Sequence, residues 1–282
     1  MTTAMAKIVF EGVRKTFGDF TALDGIDLEI QSGEFLVVVG PSGCGKSTLL
    51  DLLGGLSTPT AGRILLDGKP VTGPGLDRGI VFQQYALLPW RTALGNVEFG
   101  LEATGVPRRE RKARAREFLD LVGLTGFEDR HPHQLSGGMR QRVAIARSLA
   151  YDPDVLLMDE PFAALDAQTR ESLQDELRRI WQRTGKTVVF ITHGIEEAVY
   201  LGQKVAVMTS RPGRIKEIVP VAFGERPGTG TGIGTGTGTA IGPQGEELRS
   251  SPEFARYRHE IWTLLHDEVA RAQQLEKEEA SV

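Results

Sequence analysis

Glycine, lysine and serine occur early in the chain at the spacing of a phosphate-binding loop. Residues 40–47 read GPSGCGKS, which matches the pattern GxxxxGK[ST]. Glycines let the backbone turn its N–H groups toward a phosphate, and Lys46 supplies a cation to the outer phosphate oxygens. Ser47 is a candidate ligand of Mg²⁺. The pattern therefore predicts a site for the phosphates of a nucleotide.

The whole loop and the residue after it are expected to contact ATP. These residues are Gly40, Pro41, Ser42, Gly43, Cys44, Gly45, Lys46, Ser47 and Thr48. Cys44 occupies a variable position of the pattern, and nothing adjacent would activate its thiol, so we assign it no chemistry.

Two acidic residues end a second apolar run. VLLMDE at 155–160 predicts a buried strand that ends in Asp159 and Glu160. In open α/β sheets, ligands gather at the carboxyl ends of the strands. We therefore interpret Asp159 as a Mg²⁺ partner that acts through water, and Glu160 as the group that orients or deprotonates the attacking water.

Short aliphatic strands alternate with helical stretches along most of the chain. Residues 8–39 predict several short strands, some of them antiparallel, and the strand Phe35–Val39 leads into the phosphate loop and a helix over 46–53. TVVFIT at 187–192 predicts another strand. Residues from about 92 to 150 have no strand pattern and predict an inserted helical subdomain. We expect an α/β fold with a mostly parallel core sheet and an antiparallel β subdomain.

The C-terminal part of the chain has a different composition. We expect a first domain over 1–222, a flexible linker over 223–248 that is rich in Gly and Thr, and an amphipathic helix over 249–282. The start of this helix is indicated by Ser251 and Pro252, which resemble an N-cap and a first helical position. The helix is expected to dock on the body, and a role in dimer or partner contact is the alternative.

Composition and charge exclude several classes of function. The net charge of −4, from 33 basic and 37 acidic residues, gives no global field for nucleic acid, which is not an expected partner. One cysteine excludes an internal disulfide and a cysteine metal cluster, as suits a reducing compartment. No apolar run approaches the ~20 residues of a membrane span, so we expect another protein to anchor the chain if it works at a membrane.

A second anion site is predicted by LSGGMRQRVAIARSLA at 135–150. Ser136 is expected to cap a helix that begins near Met139, and Gly137 and Gly138 expose the backbone amides of its first turn. This segment resembles the signature motif of the ABC ATPase family, a form of the P-loop NTPase fold, and the resemblance covers about residues 7–220. The resemblance implies an ATP hydrolase with ATP and Mg²⁺ as its ligands.

The family resemblance also implies a shared active site. Two copies, as a homodimer or as paired cassettes, would associate head to tail, so that Ser136, Gly137 and Gly138 of one copy close over the nucleotide held by Lys46 of the other. Asp166, in AALD, resembles the aspartate at the dimer seam.

Three further residues are matched by the same resemblance. Gln83, in IVFQQ, is similar to the glutamine that contacts Mg²⁺ and communicates with the membrane partner. His193 resembles the switch histidine that contacts the γ-phosphate. Phe17 stands where the family places an aromatic ring against adenine. Gly194 and Ala163 differ from the residues usual at their positions, which affects the positioning of these loops.

The best match within the family is to ATPases of taurine, alkanesulfonate and nitrate importers. Its segments are GPGLDRGIVFQQYALLPWRTALGNVEFGL, DEPFAALDAQTRESLQDEL, THGIEEAVYL and SRPGRI. The resemblance implies an integral membrane permease, a periplasmic or lipoprotein solute-binding protein, and a peripheral position at the cytoplasmic face of the inner (plasma) membrane. Trp90, in LLPWRT, suits a groove for a short permease helix.

Other classes fit the sequence less well. A DNA-repair or chromosome ATPase with the LSGG motif would need long heptad repeats, and none is present. A translation-associated ABC protein would carry two cassettes, whereas GKS and LSGG occur once each. A small-molecule P-loop kinase would not explain LSGG. Among transporters, an exporter subunit stays open as an alternative.

Overall fold

The computed structural model describes residues 6–223 and 245–279. The strands are β1 Ile8–Phe17, β2 Phe20–Ile30, β3 Phe35–Val39, β4 Ala61–Leu66, β5 Lys69–Pro70, β6 Arg78–Val81, β7 Val155–Asp159, β8 Thr187–Ile191, β9 Lys204–Met208 and β10 Ile215–Pro220. The helices are α1 Lys46–Leu53, α2 Ala93–Ala103, α3 Arg108–Leu121, α4 Gly137–Ala150, α5 Ala167–Thr184, α6 Ile195–Leu201, α7 Gly245–Arg249 and α8 Pro252–Glu279, with a 3-10 turn over Pro132–Gln134. In the described ranges, no helix is both long and apolar enough to cross a membrane.

The central sheet is mostly parallel and brings the loops of interest to one edge. Its strand order is β10-β9-β3-β8-β7-β6, and every pair from β9 to β6 is parallel, whereas β10 is antiparallel to β9. Because parallel neighbours end at the same edge, the loops after β3, β6, β7 and β8 lie side by side. This arrangement confirms the predicted fold class.

Strand β3 is buried on both faces and divides the hydrophobic core in two. Phe35, Val37 and Val39 pack with the helices α4, α5, α6 and α8, whereas Leu36 and Val38 pack with α1 and the antiparallel sheet. That second sheet has the order β2-β1-β4-β5. A strand buried on both sides needs a continuous apolar run, which explains FLVVV.

The inserted helical subdomain consists of α2, α3, the 3-10 turn and α4. The predicted start of α4 near Met139 is wrong by two residues, since the helix begins at Gly137. The reason is the cap: Ser136 Oγ accepts a hydrogen bond from the Met139 N–H at 3.2 Å, which makes Met139 the third residue of the helix.

Residues at both ends of the predicted 223–248 linker pack into the folded body. Phe223 is buried and packs its ring on Phe254 and Tyr257, and α7 places Leu248 in the core. The apolar side chains at these two ends therefore belong to the body, and residues 224–244 lie outside the described residues. Helix α8 then begins at Pro252, with Ser251 Oγ accepting from the Phe254 N–H at 3.2 Å.

A buried carboxylate fastens α8 to the loop after β9. Glu268 Oε2 accepts from the Ser210 N–H at 2.9 Å, and Glu268 Oε1 accepts from Lys216 Nζ at 2.9 Å. Burial alone would raise the pKa of Glu268, but the hydrogen bonds from Lys216 and Ser210 outweigh burial and lower the pKa below its ordinary value of 4.5. The ionised form therefore holds the helix in place.

We predict that Glu268→Gln lowers the free energy of unfolding by about 2 kcal/mol, because a buried N–H and Lys216 lose their charged acceptor. The difference from the unmodified protein should be complete above about pH 4.5 and should shrink as the pH falls through the lowered pKa of Glu268. Chemical denaturation followed by circular dichroism measures both effects.

The control is Glu260→Gln, the same change at an exposed position of α8. This variant should unfold like the unmodified protein. Equal stabilities of the Glu268 and Glu260 variants at pH 7 would contradict the anchoring role of Glu268.

Candidate functional site

The phosphate loop is folded tightly against β2. Gly45 has φ 101°, and a Cβ atom on it would lie 2.7 Å from Leu23 Cδ2, so a side chain cannot be accommodated there. Lys46 is only 5% exposed, and its Nζ donates to the carbonyl oxygens of Gly40 and Pro41, each at 2.9 Å. The loop therefore holds its lysine at the start of α1, where the helix N-terminus adds positive potential.

Cys44 fills space beneath the loop. Its side chain is buried, and a Cβ on Gly40 would lie 2.8 Å from its Sγ. Burial raises the pKa of the Cys44 thiol above its ordinary value, and the nearby Lys46 only partly opposes this. The thiol therefore stays protonated at neutral pH, as expected of a residue without chemistry of its own.

A carboxylate oxygen at the end of β7 is suited to a cation. Asp159 Oδ1 is buried and has no hydrogen-bond partner among the described residues. Burial raises the pKa of Asp51, on α1, and the negative charge of Asp159 raises it further. Ser47, exposed on the first turn of α1, adds a hydroxyl oxygen. One carboxylate with neutral oxygens is a donor set that Mg²⁺ accepts.

Glu160 and His193 form a pair at the same sheet edge. His193 Nε2 lies 2.5 Å from Glu160 Oε1, and His193 is half exposed whereas Glu160 is largely buried. Glu160 adopts φ 43°, a left-handed backbone that is rare for a residue with a side chain. Its N–H is held by the Ile191 carbonyl at 3.0 Å. The strained turn directs the carboxylate toward the loop after β8.

A buried polar network supports the loop that carries His193. Thr192 Oγ1 donates to Glu197 in a short hydrogen bond and accepts from the Gly194 N–H at 2.9 Å. Gln174 Nε2 donates to Glu197 Oε1 at 2.9 Å. Burial raises the pKa of Glu197, and the charge of Glu160 adds to this, although the hydrogen bonds from Thr192 and Gln174 act in the opposite direction. We did not predict this network, because Gln174 comes from a distant segment and the short-range bonds among Thr192, Gly194 and Glu197 follow no periodic pattern.

Phe17 ends β1 with an exposed ring, as a stacking platform requires. The ring is 53% exposed, and Lys15 Nζ lies 4.9 Å from its centroid.

Arg211 was not predicted as a site residue, and its guanidinium lies over the phosphate loop: a Cβ on Gly43 would be 3.0 Å from the Arg211 Nη2. The same guanidinium lies 5.4 Å from the Phe20 centroid. The segment SRPGRI, which contains Arg211, is one of those that resemble importer ATPases, but only the fold shows that Arg211 covers the phosphate loop.

Gln83 follows β6 and has an exposed side chain. The loop that begins at Gln83 is held in place by a side chain of α2. Asn96 is fully buried on α2, where its Oδ1 accepts from the Leu88 N–H at 2.8 Å and its Nδ2 donates to the carbonyls of Leu88, Arg91 and Thr92. These bonds hold the backbone beneath Trp90, which is 73% exposed. Asn96 was also missed, since a lone asparagine on a predicted helix carries no sequence signal.

The signature residues lie beside α5 and not at the phosphate loop of their own chain. A Cβ on Gly138 would lie 2.7 Å from Thr169 Cγ2, and one on Gly137 would lie 3.2 Å from Leu165 Cδ2. Asp166 caps α5, with its Oδ1 accepting from the Thr169 N–H at 2.9 Å, and this backbone hydrogen bond lowers the pKa of Asp166. The predicted residues therefore form two groups: one lies at the sheet edge, and in the other the signature glycines lie beside Leu165 and Thr169, next to the Asp166 cap of α5.

The comparisons with known proteins agree with this geometry. The family model described as ABC transporter matches residues 23–163. An uncharacterized ABC transporter ATP-binding protein of Methanocaldococcus jannaschii is 57% identical over 251 residues, which are 89% of this chain and 86% of the relative. The taurine import ATP-binding protein TauB of Pseudomonas putida is 51% identical over 239 residues, which are 85% of this chain and 87% of the relative.

A solved structure is also similar. It is the dimeric structure of a post-hydrolysis state of an ATP-binding cassette bound to ADP and Pi, with a TM-score of 0.68 and 36% identity over 77% of this chain and 99% of that chain. The phosphate loop, the acidic strand end and the LSGG helix are thus accompanied by strong similarity in sequence and in fold. The chain belongs to the ABC transporter family, as one of its ATP-binding, ATP-hydrolysing proteins.

Proposed function

We propose that this chain is the ATPase subunit of an importer for a small sulfonate anion, and that two copies hydrolyse ATP head to tail. One observation supports an active site that is shared between two copies. Each copy holds Lys46, Glu160 and His193 at its sheet edge, whereas its Ser136, Gly137 and Gly138 line neither of the two clefts that adjoin the phosphate loop and His193. Within the described residues, a single copy thus lacks signature-helix donors on the open side of its own phosphate site, and a second copy can supply them.

The sheet edge binds the triphosphate and the metal ion. The loop from Gly40 to Thr48 and the ammonium of Lys46 bind the phosphate oxygens, and Phe17 stacks on the adenine. Ser47, Gln83 and Asp159 would hold Mg²⁺, with Asp159 reaching the ion through water. When bound, Mg²⁺ supplies positive charge that offsets the charge of the phosphate oxygens.

Glu160 and His193 act on the attacking water. The Glu160 carboxylate orients the water and accepts its proton, while His193 fixes the carboxylate at 2.5 Å and contacts the γ-phosphate. Ser136, Gly137 and Gly138 of the second copy donate to the other side of the γ-phosphate, and Asp166 aligns the seam between the copies.

The relatives support an importer of taurine, and an alkanesulfonate is included because the segments quoted above also resemble alkanesulfonate importers. Taurine import proteins from Pseudomonas and Rhizobium are 50–51% identical over 85–87% of this chain. Nitrate is the second candidate, since the segments quoted above also resemble nitrate importers. The exposed Trp90, on a loop whose backbone Asn96 holds, suits a permease helix. The partners would be the permease and a periplasmic or lipoprotein solute-binding protein, with this chain peripheral at the cytoplasmic face of the inner membrane.

Glu160→Gln should keep ATP binding and lower the hydrolysis rate by roughly a hundredfold or more, because the amide cannot accept the proton of the water. The variant should accumulate as an ATP-bound dimer. Phosphate release and light scattering measure the two effects. The exposed Glu217→Gln on β10 is the matched control and should hydrolyse ATP at the normal rate. Normal turnover of the Glu160 variant would remove this residue from its role.

Mixing two inactive variants should restore activity if the site is shared. Lys46→Ala removes the phosphate cation, and Ser136→Arg blocks the amides of the signature helix. A mixed dimer contains one site with both lesions and one intact site. An equal mixture should therefore recover roughly one quarter of the normal rate, since about half of the dimers are mixed and each has one of two sites. An inactive mixture of two correctly folded variants would argue against a site built from two copies.

The solute is tested by uptake in cells that lack this chain. We expect such cells to lose uptake of labelled taurine, and expect the unmodified chain, but not Glu160→Gln, to restore it. Uptake of an unrelated amino acid is the control. Normal taurine uptake with loss of nitrate uptake would select the second candidate.

A further inference from the structure

Helix α8 carries a second, outward row of rings and apolar side chains. We define the α8 strip as His259, Trp262, His266 and Val269, which follow one another at helical spacing. Trp262 is 48% exposed and Val269 is 39% exposed. The Trp262 ring stacks on His266 at 4.6 Å and on His259 at 6.3 Å between ring centroids. The strip is therefore an ordered aromatic surface that the described part of the body leaves half exposed.

The α8 strip borders the catalytic residues on two sides. A cleft of about 520 Å³ lies between Trp262 and His266 on one wall and Pro41, Ser42 and His193 on the other. A second cleft, of about 980 Å³, joins Glu160 and His193 to His259 and Trp262. Whatever approaches the phosphate loop from the side of Ser42 and His193 therefore meets the strip as well.

The opposite face of α8 is fastened to the body, so the helix is not built as a lid. Ile261 and Leu265 are buried in the core, and the Tyr257 hydroxyl donates to the Ala222 carbonyl at 3.2 Å. Glu268 adds its buried bonds to Ser210 and Lys216. Lifting α8 would expose all of these groups to water, including a buried carboxylate. The strip is thus preorganised, which reduces the entropy lost when a partner binds.

We infer that the α8 strip is part of the surface on which the second copy of this chain docks when two copies enclose ATP. The inference rests on the proposed function and extends its dimer surface to a helix outside the catalytic motifs. The reason is that the α8 strip is continuous with the surface that the second copy covers. The second copy has to cover the side of Ser42 and His193, and Trp262 and His266 line the same cleft. Tryptophan is enriched among the residues that contribute most to binding, and stacking on His259 and His266 holds the Trp262 ring in place before a partner binds.

The surface that suits the permease lies elsewhere, on the loop that carries Trp90. That loop is held by α2 through Asn96, and it contributes no wall to either cleft. The two exposed tryptophans therefore serve two different partners, and substitutions can separate them.

The test uses the full-length chain with Glu160→Gln, which is expected to form a stable dimer with ATP. Trp262→Ala in this background should raise the dissociation constant of the dimer by about tenfold, or about 1.4 kcal/mol, as for a residue of central importance in an interface. ATP binding by the monomer should stay within about twofold of the parent. Light scattering over a concentration series, with and without ATP, measures the dimer, and a fluorescent ATP analogue measures binding.

A second variant and a control separate the interface from folding. Val269→Lys changes the strip without touching the rings, and it should weaken the ATP-dependent dimer in the same direction. Phe127→Ala removes an exposed ring between α3 and α4 and should dimerise like the parent. Melting temperatures within a few degrees of the parent would exclude unfolding as the cause of any loss.

The possible outcomes lead to different conclusions. If the Glu160→Gln parent forms no dimer with ATP, the proposed function fails, and the inference fails with it. If the parent dimerises and both strip variants dimerise as tightly, only the inference fails. Tighter dimers of the strip variants would make α8 an obstacle to association, and normal dimers that no longer co-purify with the permease would assign the strip to the permease. Either result would overturn the inference.

Discussion

The close approach of the phosphate loop to its neighbours is the constraint on which the rest of the structure depends. Gly45 leaves no space for a Cβ next to Leu23, and a Cβ on Gly213 would lie 2.0 Å from the Cys44 carbonyl oxygen. The Gly213 N–H also donates to the Ala22 carbonyl at 2.9 Å. The loop is thus held between β2 and the loop after β9, and Lys46 is directed into it. A looser loop would lose the backbone amides that bind phosphate.

The electrostatics of the site account for the proposed division of its parts between two copies. Asp159 and Glu160 bring negative charge to the edge where a triphosphate has to bind, and Asp51 adds to it. Lys46 and the amides of the phosphate loop are donors that one copy offers on the loop side, with the Arg211 guanidinium beside them. Full stabilisation of the transferring phosphoryl group requires donors from the other side as well. In the proposed dimer those donors arrive only when two copies meet, so hydrolysis is linked to association.

Helix α8 contacts the surroundings of the nucleotide site through a small number of residues. Glu268 holds Ser210, and the next residue, Arg211, covers Gly43 of the phosphate loop. On its outer side the same helix carries Trp262 toward His193. A change in the position of α8 would therefore move residues both at the rim of the phosphate loop and at the proposed dimer surface. This helix is more than cover for the core.

The sequence by itself determined the fold class, the phosphate loop and the acidic end of β7, because these depend on local patterns: glycine spacing and apolar runs. The family came from the resemblance of the LSGG segment to a known motif. The sequence also predicted the helix that became α8, from apolar residues at helical spacing. The contacts of Asn96, Glu197, Arg211 and Glu268 were decided only by the tertiary structure. Arg211 and Glu268 contact residues of distant segments, whereas Asn96 and Glu197 also bond near neighbours in the chain. In both cases, burial and hydrogen bonding of a single polar side chain leave no periodic trace in the sequence.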